Sequence, residues 1–440
     1  MYKLRSGIYL VQGAHRYALY DTRTGKVYSL NKAAVEVLKG NSTNKSFLEQ
    51  LHRLGLLEQA APSEKYSLPM LPEAMEDSFK VNIGLEFVWF EVTSRCNERC
   101  IHCYASAGPI AKRRKGTGLS FNKWKRVILE SAQLGATQCQ FIGGEPFLYR
   151  GENGESIFDL IEVAREVGFS SVEVFTNGTL LNKTMLQRLK RLEVKLAVSL
   201  YSIRPEIHDT ITRTPGSCQR TLKNLEFIKE SEIPVRVEII VLNQNADLVE
   251  ETLLWLEERN IPHGAPDVVR PSGRGMNTSL YPEEKIFEKY GLIIEPSFYA
   301  DIDFIKRSIR GNNCLAGKLV ITEEGEVLPC IFSRDISLGN VLSSSLQAII
   351  NQRDVQRIWR NSKDNVIVCR DCEYRYVCHD CRALAFSVSP NQKEGQLKRY
   401  LTAPYPRCTY NPYTGEWGQG VWRIDERGEA HYSIIQGGVK

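Results

Sequence analysis

Residues 85–103 read LEFVWFEVTSRCNERCIHC. The first eight, Leu85–Val92, are rich in Phe and Val, the composition of a buried parallel strand. Three cysteines, Cys96, Cys100 and Cys103, follow on one short segment. Three thiolates so closely spaced can each hold one iron of a four-iron cluster, leaving the fourth iron open to a small molecule. A zinc site would want a fourth Cys or His nearby, and His102, between two of the thiols, is a poor fourth donor.

Outward from this stretch, strand-like and helix-like runs alternate. After Leu85–Val92 the expected strands are Gln138–Ile142, Ser171–Phe175, Val194–Leu200, Val235–Val241 and Pro266–Arg270. Between them lie amphipathic patterns. One spans Glu155–Val167, with Ile157, Leu160, Ile161 and Ala164 on one face; another is capped by Ser120 and stopped by Gly135. Six strands alternating with helices predict an α/β fold, a partial (βα)6 barrel whose active site sits where the strands end. Polar segments occupy those ends. Gly143, Gly144, Glu145 and Pro146 follow the second strand, Asn177 follows the third, and Ser199 ends the fourth. Two glycines let backbone approach a ligand, and a carboxylate can accept from an ammonium.

The 440 residues are 42% hydrophobic and 25% charged, which excludes a disordered or fibrous chain. A net charge of +5 over this length is no nucleic-acid signature. No apolar run approaches the ~18 residues of a membrane span, and Met1–His15 lacks a signal-peptide core, so a cytoplasmic protein is expected. Twelve cysteines in a reducing compartment point to metal ligands. Seven of them follow the barrel: Cys314 and Cys330 bracketing Gly325, then Cys369, Cys372, Cys378 and Cys381, and finally Cys408. Alone, this spacing suits four-thiolate zinc as well as iron–sulfur clusters. Cys139 and Cys218 read as packing residues.

The N-terminal block reads as three short strands, Gly7–Gln12, Arg16–Asp21 and Lys26–Leu30, with a turn at Thr22–Gly25. A helix capped by Asn31 and a second near Lys45–Leu54 follow. Three strands with about three helices predict a small winged-helix domain. No basic recognition helix argues for DNA, and the run Lys112–Lys115 reads as a solvated loop.

The C-x3-C-x2-C triplet after the first strand, with GGEP after the second, resembles the radical S-adenosylmethionine (SAM) enzymes. The resemblance implies that Cys96, Cys100 and Cys103 hold the SAM-binding cluster. It implies SAM contacts from His102, Gly143, Gly144, Glu145, Pro146, Asn177, Ser199 and Arg213. The later cysteines resemble the SPASM extension, although Cys378 and Cys381 are spaced by two residues where the usual pattern has three. That extension implies two auxiliary 4Fe–4S clusters, three clusters in all. Cys369, Cys372, Cys378 and Cys408 would close the outer one. Cys314, Cys330 and Cys381 would hold the nearer one with an open iron. The tail after Cys408, with Tyr410, Trp417 and Trp422, is expected to pack over the last cluster.

YSLNKAAVEVLKG, residues 28–40, is similar to the peptide-chaperone domain of pyrroloquinoline quinone biosynthesis, a leader-recognition element. Its mode is β-augmentation on the third strand, through Val27, Tyr28 and Ser29. The whole chain is thus identified as resembling maturases of ribosomally synthesised peptides. The expected domains are the leader element at 1–60, a linker at 61–80, the barrel at 81–275 and the SPASM domain at 276–440. The expected partners are a precursor peptide with a leader and a one-electron reductant such as a flavodoxin or ferredoxin, with no nucleic acid and no membrane. The expected product is a thioether between a cysteine sulfur and a carbon. Carbon–carbon cross-linking, epimerisation and sulfatase-type protein maturation are the alternatives, with a zinc-stabilised binding protein further off. No residue is marked as a catalytic acid or base.

Overall fold

A computed structural model describes residues 2–60, 67–80, 82–109, 118–389, 395–418 and 420–434. The basic run Lys112–Lys115 and part of the expected linker lie outside them. The chain divides into two compact units. One comprises Met1–Ile83, Ile293–Ala316 and Arg357–Ile435; the other comprises Gly84–Leu292 and Gly317–Gln356.

In the first unit, β1 (Tyr2–Leu4) pairs antiparallel with β5 (Leu57–Gln59). Strands β2 (Ile8–Gln12), β3 (Tyr17–Asp21) and β4 (Lys26–Leu30) form an antiparallel meander. Gly25 makes the second turn at a φ of 77°, and the Asp21 carboxylate accepts from the Arg23 backbone and the Thr24 hydroxyl. Asn31 caps α1 (Lys32–Leu38) and Asn44 caps α2 (Lys45–Arg53), each through a side-chain oxygen on the backbone N–H three residues on. Phe47, Leu48 and Leu51 pack on Leu4, Ile8, Leu10 and Leu19. Two helices stand here where about three were expected, because the chain after α2 returns as β5. The opposite face of the meander is also covered. Val11, Ala18 and Tyr20 pack with Leu71, Met75, Ile305, Ile309 and Tyr376. Leu71 and Met75, within the expected linker, are therefore core residues. The outer edge of β2 is occupied as well: the Leu10 N–H donates to the Pro69 carbonyl and the Leu71 N–H to the Leu10 carbonyl, both at 2.9 Å.

The second unit is the expected α/β assembly. β6 (Phe87–Thr93), β7 (Gln138–Gly143), β8 (Ser171–Thr176), β9 (Lys195–Ser199) and β10 (Val235–Glu238) run parallel in sequence order. Helices α3 (Phe121–Gln133), α4 (Ile157–Glu166), α5 (Lys183–Arg191), α6 (Pro205–Thr212) and α7 (Ser217–Glu230) connect them. The last expected strand pair is shorter than the sequence suggested. β11 (Ile240–Val241) and β12 (Asp267–Val268) form a separate two-residue parallel ladder around α8 (Val249–Glu258). On the other side of β6 the sheet continues through β13 (Lys318–Ile321), parallel to β6, and then β14 (Glu326–Leu328) and β15 (Gly339–Asn340), both antiparallel.

Alternation along β6 decides what faces the site. Phe90 points to the helices, with its ring 6.0 Å from Trp124 and 5.5 Å from Phe141. Trp89, Glu91 and Thr93 therefore face the barrel interior. Cys139, beside Phe141 on β7, and Cys218, at the start of α7, are buried, as packing thiols should be.

Candidate iron–sulfur and cofactor sites

The loop carrying Cys96, Cys100 and Cys103 leaves the C-terminal end of β6 and is anchored at several points. Arg99 and Ile101 donate their backbone N–H groups to the carbonyls of Thr212 (3.0 Å) and Ile211 (2.9 Å), at the end of α6. Arg274 holds the other side, with Nε on the Cys100 carbonyl at 2.7 Å and Nη2 on the Ala107 carbonyl at 2.8 Å. Sequence reading missed Arg274, since its partners lie more than 160 residues away. Burial pushes the Cys96 and Cys100 thiols upward. Buried thiols ionise when a metal takes the proton's place, so this donor set fits a cluster with three protein ligands. Glu98 is buried beside Cys100 and is pushed up to about 8, by burial first.

The GGEP segment crosses the start of this loop closely. A Cβ on Gly143 would stand 2.5 Å from the Thr93 carbonyl oxygen, and one on Gly144 would stand 2.1 Å from that of Arg95. The Gly144 and Glu145 N–H groups donate to those same carbonyls, at 2.6 and 2.8 Å. The glycines thus bring β7's end against the cluster loop. Glu145 is fully buried and accepts from the Thr176 hydroxyl at 2.9 Å and the Asn177 N–H at 3.0 Å. Burial lifts it to about 7. Its present partners make it the residue that holds the FTNG turn. Asn177 in turn donates to Asn97 at 3.0 Å and lies 3.8 Å from the Cys96 sulfur. Pro146 is buried behind it. His102 packs edge-on against Tyr201 at 4.7 Å, and Tyr201 lies two residues past Ser199. The loop, GGEP, Asn177, Ser199 and His102 are therefore drawn to one end of the barrel. Arg213 is exposed, at φ 51° after α6. No hydrogen bond or ion pair joins it to the others among the described residues.

The second thiol group lies in the first unit. Cys369, Cys372, Cys378 and Cys408 line one cavity, walled by Pro404, Tyr405, Tyr410 and Trp422. The Tyr374 N–H faces the Cys372 sulfur at 3.4 Å. Burial pushes Cys408 up to about 12. Four thiols around one small cavity fit a four-thiolate iron–sulfur centre. Of the tail aromatics, Tyr410 and Trp422 wall this cavity, while Trp417 lies elsewhere, beside β4. Cys314 is exposed, and its N–H donates to Asn312, whose amide donates to Asp380 beside Cys381. Cys330 is buried in the other unit, just past β14.

Residues 90–256 match the Radical SAM superfamily, and residues 314–373 match the SPASM iron-sulfur cluster-binding domain. Fe-coproporphyrin III synthase of Methanosarcina barkeri is 31% identical over 72% of this chain and 87% of its own. The chain belongs to the radical SAM superfamily, as an enzyme of the SPASM type. It is also similar to the antilisterial bacteriocin subtilosin biosynthesis protein AlbA of Bacillus subtilis, 31% identical over 62% of this chain and 60% of that protein. The fold is shared with Streptococcus suis SuiB bound to S-adenosylmethionine, at a TM-score of 0.54 and 15% identity, over 91% of this chain and 98% of that one. No helix among the described residues is long and apolar enough to cross a membrane.

Proposed function

We propose that this protein is a peptide maturase that installs a cross-link in a ribosomal precursor, with a cysteine-to-carbon thioether as the favoured product. The observation that carries the peptide reading is the free edge of β4. Residues Lys26–Ser29 have no backbone partner on their outer side among the described residues. A groove of about 540 Å³ runs along that edge, bounded by Val27, Tyr28 and Ser29 and by Phe298, Tyr374 and Trp417. An extended leader can add there as a further strand, its side chains meeting the aromatic wall. The likeness to AlbA, named for bacteriocin biosynthesis, supports the same class of substrate.

Cys96, Cys100 and Cys103 would hold the SAM-binding cluster, with Gly143, Gly144, Glu145, Pro146, Asn177, Ser199 and His102 shaping the SAM pocket. Arg213 would reach the SAM carboxylate only if its side chain turned inward. When bound, the cofactor supplies a 5′-deoxyadenosyl radical on one-electron reduction. The chain's own residues position the peptide and exclude water. Cys369, Cys372, Cys378 and Cys408 would hold one auxiliary cluster, and Cys314, Cys330 and Cys381 the other, with one iron left for a substrate thiolate. Per thioether the peptide loses two hydrogens, one as an atom and one as a proton with an electron that needs an acceptor.

The likeness to Fe-coproporphyrin III synthase favours a second reading, a tetrapyrrole substrate. One experiment separates the two. The protein is co-produced anaerobically with a small precursor peptide encoded beside its gene, and the peptide mass is measured. Loss of two hydrogens per link, with one thiol no longer alkylatable, supports the thioether. The same loss with every thiol alkylatable moves the product to a carbon–carbon bond. An unchanged mass that gains deuterium from deuterated water means epimerisation. No change, with formation of Fe-coproporphyrin III from an added tetrapyrrole precursor, overturns the peptide reading. Replacing Cys96, Cys100 and Cys103 by Ala must abolish SAM cleavage under dithionite.

A further inference from the structure

The cavity of Cys369, Cys372, Cys378 and Cys408 is lined by two cations, Lys363 and Arg375, of which Arg375 is paired with Asp364. Lys363 shares the wall and is only 8% exposed. Its ammonium donates to the carbonyl oxygens of Cys378 at 2.9 Å and His379 at 2.8 Å. Among the described residues it pairs with no carboxylate. The nearby acids are taken: Asp380 holds Arg382 at 2.6 Å, and Asp364 holds Arg375 at 2.9 Å. A buried ammonium without a carboxylate is costly unless other negative charge stands close. The charges that act on it are Asp380, already paired with Arg382, and the thiols of Cys378, Cys369 and Cys408, once ionised.

We infer that Lys363 is the fixed counter-charge of the outer iron–sulfur centre and raises its reduction potential. The inference rests on the SPASM reading above. A four-thiolate 4Fe–4S centre is anionic, and one-electron reduction adds one further negative charge with no proton transferred. A cation held at short range in a poorly solvated cavity stabilises the reduced form more than the oxidised form. The carbonyl contacts fix where that cation sits. Removing it should make the centre harder to reduce, and so a poorer acceptor for the electron that cross-linking releases. Lys363 is in this sense a positioning residue for charge: it need touch neither substrate nor cofactor.

The test uses the full chain, reconstituted anaerobically, with Cys96, Cys100 and Cys103 replaced by Ala so that only auxiliary centres remain. Iron content is measured, and dithionite titration is followed by electron paramagnetic resonance. Cys408→Ser marks the signal that belongs to the outer centre. Lys363→Met should move that signal's midpoint to lower potential while Lys363→Arg keeps it near the parent value. The other auxiliary signal should not move. An unchanged midpoint in Lys363→Met at full iron content overturns the inference. If Lys363→Met loses about four irons per chain and Lys363→Arg keeps them, the counter-charge role stands. If both variants lose them, shape rather than charge is what matters, and the inference fails. Zinc in place of iron in the parent protein would remove the SPASM cluster reading itself, a separate failure.

Discussion

Arg334 closes a two-point ion pair on Glu91, with Nη1 and Nη2 at 2.8 and 2.9 Å from the two carboxylate oxygens. Glu91 faces the barrel interior from β6, and Arg334 lies four residues beyond Cys330. The Tyr104 ring, next to Cys103, stacks on the same guanidinium at 5.2 Å and meets Phe332 edge-on at 5.5 Å. The SAM-cluster loop and the segment after Cys330 are thus tied to one wall of the barrel.

Arg334→Met would leave the Glu91 carboxylate buried and alone. Breaking such a pair costs about 3–5 kcal/mol when both partners are buried. Arg334 is 26% exposed, so the low end applies. The thermal midpoint should fall clearly in Arg334→Met and recover most of the loss in the double variant Glu91→Leu, Arg334→Met. A double variant as unstable as the single one would show that the pair is not what the barrel wall depends on.

Little of that pair was legible in advance. Its partners are 243 residues apart, and no local pattern marks either. The cysteine loop, GGEP and five of the six strands could be read because each is a local signal: hydrophobic runs of a strand's length, ended by Gly, Asn or Cys. β13 to β15 could not. Lys318–Ile321 is four residues long and follows Gly317, and only its ladder with Phe87–Phe90 makes it a barrel strand. The two helices of the N-terminal block were marked by Asn31 and by the Phe47–Leu51 stripe. The third expected helix is absent among the described residues, where the chain after α2 forms β5.

Gly144→Ala tests the closest backbone approach in the site. Its Cβ would enter the 2.1 Å gap to the Arg95 carbonyl, which is backbone and cannot swing away. Overpacking of this kind costs about 1–3 kcal/mol. The shift falls on Arg95, next to Cys96. SAM cleavage should drop by about tenfold or more, since that strain is spent at the cofactor's edge. Cleavage at the parent rate would mean that the GGEP crossing does not set the cofactor pocket.

Glu145 predicts a pH dependence. Burial raises its folded value to about 7 from an ordinary 4.5. A raised carboxyl favours folding most when protonated, so its contribution is full below about pH 4.5 and is lost as pH rises through about 7. The charged form then weighs against folding, on the order of 3 kcal/mol by linkage. Glu145→Gln should therefore gain on the parent cluster-free protein as pH goes from 5 to 8. The amide keeps a single acceptor oxygen and so loses the hydrogen bond from either the Asn177 or the Phe147 N–H, a fixed offset, and the slope of the difference carries the prediction. A flat difference in thermal midpoints between pH 5 and 8 would show that Glu145 titrates normally.

The groove beside β4 makes a prediction that separates recognition from chemistry. Phe298 stacks on Tyr374 at 4.7 Å, and Trp417 meets Tyr410 at 4.8 Å, so the wall is a packed aromatic surface. Removing one aromatic anchor from a peptide groove costs about 2 kcal/mol, or a factor near 30 in affinity. Trp417→Ala should weaken binding of a fluorescent leader peptide by about that factor. SAM cleavage without peptide should stay unchanged, because the cluster loop lies in the other compact unit. Ser29→Pro attacks the same groove through the backbone, since the Ser29 N–H lies on the outer side of β4 and proline cannot donate along a strand edge. If both variants bind leader as the parent does, the peptide docks elsewhere and the free β4 edge has another use. If binding falls in both while a leaderless core peptide is still modified slowly, the groove serves to hold substrate near the barrel, raising its local concentration rather than taking part in the reaction.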